Sequence, residues 1–234
     1  MPFQNIIRVS LILFAFTVIS FSNADADLYW ESDSKSQGIP GQQDGIQLVK
    51  NYLKGNSFRI EMPDSITIMD MDQMKIFNLD PKKKTYNEVD MKQMGQMPEM
   101  EGEAGKQFQG IMKKMMGSFK VVPTTETRKI SGYKCTKHNV SFMGTSGEYW
   151  ISNEVEGLDE LLTYSKKSAK VMGRNPMLKQ MNFSALTEEL KGFPVETTMK
   201  IGNGTTTSTL KKIERKGLST DLFKVPAGYK MTDQ

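Results

Sequence analysis

Methionine stands at 91, 94, 97 and 100, one every third residue, and thioether sulfurs gathered in a short stretch could hold a soft ion such as Cu(I). The same region continues with Phe108, Ile111, Met112, Met115, Met116 and Phe119, whose spacing of i, i+3, i+4, i+7, i+8 and i+11 draws one continuous apolar face on a helix. Lys113 and Lys114 fall off that face. Gly95 and Pro98 interrupt regular helix upstream, so residues 91–119 are expected to be a flap leading into a helix. Flexible, polarizable side chains suit a lid over an apolar small molecule or lipid. The methionine repeat supports Cu(I) binding as an alternative. A further alternative takes the same residues as ordinary core of a structural or interaction domain with no small ligand.

Cys135 and His138 are the chain's single cysteine and single histidine, and their nearness invites a nucleophile-and-base reading. Strand alternation separates them, with Tyr133 and Cys135 on one face and His138, Val140 and Phe142 on the other. Cys135 is therefore expected to be a small buried hydrophobe. For copper, His138 is far from the methionines, and extracellular copper sites commonly mix imidazole with sulfur. The sequence contains no HExxH, GxSxG, SxxK, phosphate-cradling glycine loop or dinucleotide fingerprint. It reads as a non-enzymatic binding protein with no cofactor.

The N-terminus has Arg8, an apolar run from Val9 to Phe21, and then Ala24-Asp25-Ala26, the three-part layout of a cleavable secretion signal. That run is too short to span a bilayer, and no transmembrane anchor is expected after cleavage. Residues 27–234 are expected to form one exported domain, periplasmic or secreted. With a single cysteine no intramolecular disulfide can form, so stability must come from the core. The net charge of +4 is spread along the chain. Its one short basic run, Lys82-Lys83-Lys84 beside Pro81, reads as a charged turn, and a nucleic-acid partner is not expected.

The elements that must position these residues are mostly strands. From Asp27 to Val89 short β-prone pieces alternate with turns at Lys54-Gly55-Asn56, Met71-Asp72-Gln73 and Asp80-Pro81-Lys82-Lys83, which predicts a meander of hairpins. A second β block runs from Lys120 to Ser152. A third hairpin joins Phe193–Ile201 to Thr205–Glu214 across Gly202-Asn203-Gly204. Leu158, Leu161, Leu162, Ala169 and Met172 mark an apolar helical stripe, and a shorter helix is expected over Ala185–Lys191. The fold class is α+β, a strongly curved, half-barrel-like antiparallel sheet with helices around Gln107–Phe119 and Leu158–Met172 over its concave face.

Four short stretches carry a family resemblance: Lys129-Ile130-Ser131-Gly132-Tyr133-Lys134-Cys135, Glu148-Tyr149-Trp150-Ile151, Gly192-Phe193-Pro194-Val195-Glu196 and Leu222-Phe223-Lys224-Val225-Pro226-Ala227-Gly228-Tyr229. In this order they resemble the exported bacterial family called domain of unknown function 4412. The resemblance implies a cell-envelope protein with a fold similar to the periplasmic lipoprotein carriers, a curved sheet closed by helices over an apolar cavity. It supplies no catalytic residues.

Overall fold

The computed structural model describes residues 27–39, 44–93, 120–142, 145–173 and 189–232. The expected signal segment, the apolar face from Phe108 to Phe119, and Met94, Met97 and Met100 lie outside the described residues.

Among the described residues twelve strands form a single open sheet. They are β1 (Leu28–Gln37), β2 (Gly45–Lys54), β3 (Ser57–Met62), β4 (Ser65–Asp70), β5 (Lys75–Asp80), β6 (Thr85–Asp90), β7 (Lys120–Ile130), β8 (Tyr133–Phe142), β9 (Thr145–Ser152), β10 (Phe193–Ile201), β11 (Gly204–Arg215) and β12 (Lys230–Met231). The order across the sheet is β12-β6-β5-β4-β3-β2-β1-β11-β10-β9-β8-β7. All neighbouring pairs are antiparallel except β12 beside β6. The expected hairpins are present, and the expected helix is found as α1 (Leu158–Met172). Of the shorter helix, Glu189 and Leu190 are helical, and the residues before them lie outside the described set.

Two features of the meander come from its turns. Asp70, Asp80 and Asp90 end β4, β5 and β6 at ten-residue intervals, and each carboxylate accepts from the backbone of the turn that follows. The first and third turns even read alike, Met71-Asp72-Gln73-Met74 and Met91-Lys92-Gln93-Met94. Met91–Gln93 thus repeat a turn of the sheet, and the Met91 N–H donates to the Met74 carbonyl at 2.8 Å. At the β7–β8 hairpin, Ser131 (φ 49°) and Gly132 (φ 90°) both take the left-handed conformation that a tight hairpin of this twist requires. This explains one of the four family-like stretches.

In the meander the two sheet faces are covered by different parts of the chain. On one face Leu28, Trp30 and Leu53 join Cys135, Trp150, Phe193, Val195 and Leu210 in the main core, with Phe58 packed against it. Here α1 lays Leu158, Leu161 and Tyr164 on that core, while Tyr164, Val171 and Met172 continue onto Met71, Met74 and Met91. The observed stripe therefore passes through Tyr164 and Val171, and the buried Ser168, rather than through Leu162 and Ala169. Tyr164 and Ser168 are semi-polar positions that an apolar count overlooks. Gly157 precedes the helix at φ 85°, where a Cβ would lie 2.3 Å from Leu28, so glycine lets the helix start against β1.

The opposite face of the meander carries Ile66, Ile68 and Leu79, which pack under Leu218, Leu222, Phe223 and Tyr229. Arg59, 7% exposed, ties this cover down by donating to the Leu222 carbonyl at 3.0 Å and to the Glu61 carboxylate at 2.9 Å. The Asp27 carboxylate accepts from the Leu218 N–H at 2.8 Å and from Lys54 Nζ at 2.5 Å. The C-terminal family-like stretch is thus a plug over one face.

Candidate ligand groove at the β7 to β10 end

Beyond the main core the sheet changes character. On β8 the side chains of Cys135, Lys137, Asn139 and Ser141 share one face by alternation. Cys135 is fully buried, and the row then runs outward into polar residues. Register extends it across neighbouring strands. Val122, Asn139, Glu148 and Thr198 form one cross-strand row, and Lys120, Ser141, Ser146 and Lys200 form the next. These two rows line a groove of about 540 Å³.

Gly147 lies in its floor. A Cβ there would fall 2.3 Å from the Thr198 carbonyl and 2.4 Å from the Met199 sulfur, so glycine lets β9 and β10 approach at this point. Glu148 is the one carboxylate among the lining residues. It is engaged by Lys137 at 2.9 Å, and Lys137 also reaches Glu126 at 3.3 Å. The hydrogen bond that Lys137 donates to Glu148 is the largest of the effects that raise the Lys137 pKa. Lys120 and Lys200 have no ion-pair partner among the described residues, so the groove keeps an uncompensated positive charge at both ends of one row.

The inner boundary of the groove is built on Trp150. Arg128 lies 3.9 Å over its ring and pairs with Glu196, which in turn accepts from the Thr209 hydroxyl at 2.9 Å. A register shift at Pro194/Glu196 sets Phe193 and Val195 in the core beside this ion pair. Gly192 before it meets Ile151 so closely that a Cβ would lie 2.3 Å away. Two more family-like stretches therefore serve core and boundary.

The other candidates separate. Cys135 is fully buried, as expected, and burial pushes its thiol pKa up, the reverse of an activated nucleophile. His138 lies on the alternate face of β8 and contacts the Thr136 carbonyl through Nδ1 at 3.3 Å. Val140 on that face packs with Ile151 and Leu190. Met91 is 1% exposed and packs with Met71 and Met74, with Met69 and Met172 alongside. The ten-residue aspartate spacing could have found this from sequence, because Met91 occupies the position of Met71. Tyr164, between the main core and the methionine cluster, has its pKa raised to about 12, chiefly by burial.

Among the described residues no group of three or more His, Cys, Asp or Glu could hold a metal ion, and no helix is long and apolar enough to cross a membrane. The groove offers hydroxyl, amide and ammonium donors without a nucleophile and base in contact.

No curated protein matches the chain in sequence. Among solved structures it is similar to PNGF-II (11% identity, TM-score 0.42), covering 89% of this chain and 31% of that one. The chain therefore spans about a third of the length of that protein. It is also similar to a DUF1329 family protein from Desulfovibrio piger (9% identity, TM-score 0.37; 85% of this chain, 90% of that one). A domain assigned to outer membrane lipoprotein sorting from Vibrio parahaemolyticus is comparable (9% identity, TM-score 0.35; 85% and 89%). The model of one family matches residues 41–229, a span that takes in all four sequence stretches and both rows of the groove, and the chain belongs to that family, the domain of unknown function DUF4412.

Proposed function

We propose that this chain is a non-enzymatic binding protein of the cell envelope. It holds an apolar or lipid-like ligand between the β7 to β10 end of a curved sheet and the methionine-rich segment 91–119. Phe108, Ile111, Met112, Met115, Met116 and Phe119 form the face of its lid. In this reading the signal is cleaved after Ala26 and the mature domain works outside the cytoplasm, without a membrane anchor.

One observation carries the reading. The apolar face ends at Phe119, and the next residue, Lys120, is the first of those lining the groove. The strand order adds support, because the segment leaves the sheet after β6, near one end, and returns at β7, the other end. A connection between the two ends of a sheet is well placed to pass over one face.

The test replaces Met112 and Met116 by aspartate and follows uptake of an apolar fluorescent probe together with thermal unfolding. An unpaired carboxylate is too costly to bury, so a closed lid over the ligand is lost. A folded protein that no longer takes up the probe is the expected result. Early melting makes these residues core, and no change in either assay removes them from any ligand site.

A further inference from the structure

We infer that the groove recognises an anionic head group on a lipid-like ligand, through Lys120 and Lys200 at the two ends of one cross-strand row with Ser141 and Ser146 between them. The inference rests on the binding reading above and adds the chemistry of the ligand's polar end.

The row is set by register. Lys120 pairs with Ser141, Ser141 with Ser146, and Ser146 with Lys200, so the four side chains stand on one face of four consecutive strands. Three strand spacings put the two lysine backbones on the order of 14 Å apart on a flat sheet. Two hydroxyls lie between them, each able to donate to an anionic oxygen. Asn139 and Thr198 extend the donors in the adjoining row.

Charge decides the sign of the ligand. The groove's own carboxylate, Glu148, is held by Lys137 at 2.9 Å, which leaves both row-end ammoniums to attract an anion from solution. Other lysines such as Lys35, Lys84 and Lys134 also lack an ion-pair partner among the described residues, but Lys120 and Lys200 alone among the unpaired ones line the groove. The apolar side of the ligand follows from what borders the donors. Val122 is 41% exposed in the wall of the groove, and the lysine stems add aliphatic surface. A phosphate or carboxylate joined to a hydrocarbon chain satisfies both halves.

The test uses the full chain and three probes below any micelle-forming concentration: dodecyl phosphate, dodecyl maltoside and inorganic phosphate, each titrated by calorimetry. Dodecyl phosphate is expected to bind roughly twentyfold tighter than dodecyl maltoside at low salt, with the preference shrinking as salt rises. Lys120→Met and Lys200→Met, which keep the stems, should each lower dodecyl phosphate affinity about fivefold, and the double variant should erase the preference while leaving maltoside affinity unchanged. Ser141→Ala with Ser146→Ala serves as a second variant that leaves charge untouched, with an expected loss of about threefold. Equal binding of the two dodecyl probes overturns the head-group assignment and leaves the apolar-ligand reading standing. Binding of neither overturns both. Inorganic phosphate binding as tightly as dodecyl phosphate makes the site one for the free anion and overturns a lipid-like source.

Discussion

The two ends of the sheet are built on opposite terms. At the β1 to β6 end both faces are covered, one by α1 with Phe58 and Trp30 beneath it, the other by the C-terminal plug of Leu218, Phe223 and Tyr229, and Lys54, Arg59 and Lys75 there are held in ion pairs. Arg59 is 7% exposed and has the Leu222 carbonyl, the Glu61 carboxylate and the Tyr52 ring as partners. At the β7 to β10 end alternation continues outward from Cys135 into hydroxyls, amides and two lysines that have no ion-pair partner among the described residues. One end spends its side chains on stability, and the other leaves them available. Substitutions at the two ends should therefore differ in what they change.

The sharpest break of that contrast is Phe193→Ala. Phe193 is 2% exposed and meets Trp30 edge to face at 6.0 Å, so its loss should cost about 3–5 kcal/mol, read as a fall in the urea midpoint. A cost near zero would mean that the main core is not where the fold is held. Arg59→Ala should come next, at about 1–3 kcal/mol, because it strips the Leu222 carbonyl and the Glu61 carboxylate of a buried donor. Limited proteolysis should then release the C-terminal segment first. If the tail stays protected, apolar contacts alone hold the plug.

Lys120→Met with Lys200→Met should move stability by no more than about 0.5 kcal/mol while changing ligand preference, since both lysines are exposed and without an ion-pair partner among the described residues. A large drop in melting temperature would make the groove part of the fold's support. The smallest effect is expected from Asp80, whose pKa is lowered, chiefly by the Lys83 backbone N–H, below the usual carboxylate range. A carboxylate with a depressed folded pKa adds stability that is present above its unfolded pKa and is lost as pH falls through the folded one. The urea midpoint should therefore decline on acidification below the ordinary carboxylate range, and Asp80→Asn should flatten a small part of that slope.

Local pattern made most of this legible. β3 and α1 fall where turn residues and apolar spacing put them, because a hairpin and an amphipathic helix are each decided by neighbours in sequence. Pairing of β1 with β11 joins residues such as Trp30 and Ile213, and no local signal carries a contact of that separation. The plug was hidden for the same reason: Leu222 to Tyr229 is a recognisable stretch whose partner strands lie far upstream. The first member of the methionine repeat takes its place from a turn of the sheet. Asp90 caps the turn that contains Met91, just as Asp70 caps the turn of Met71, so that sulfur belongs to the core. Of the groove, the strands were legible but the two rows were not, since they exist only once four strands are in register.

If a lipid-like molecule sits at this end of the sheet, native mass spectrometry of the protein isolated without detergent from the cells that make it should find it still bound. The expected species is heavier than the chain of residues 27–234 by the mass of one amphiphile, released by organic solvent and carrying an acidic head group. A single species at the mass of the bare chain, unchanged after incubation with dodecyl phosphate, would contradict it.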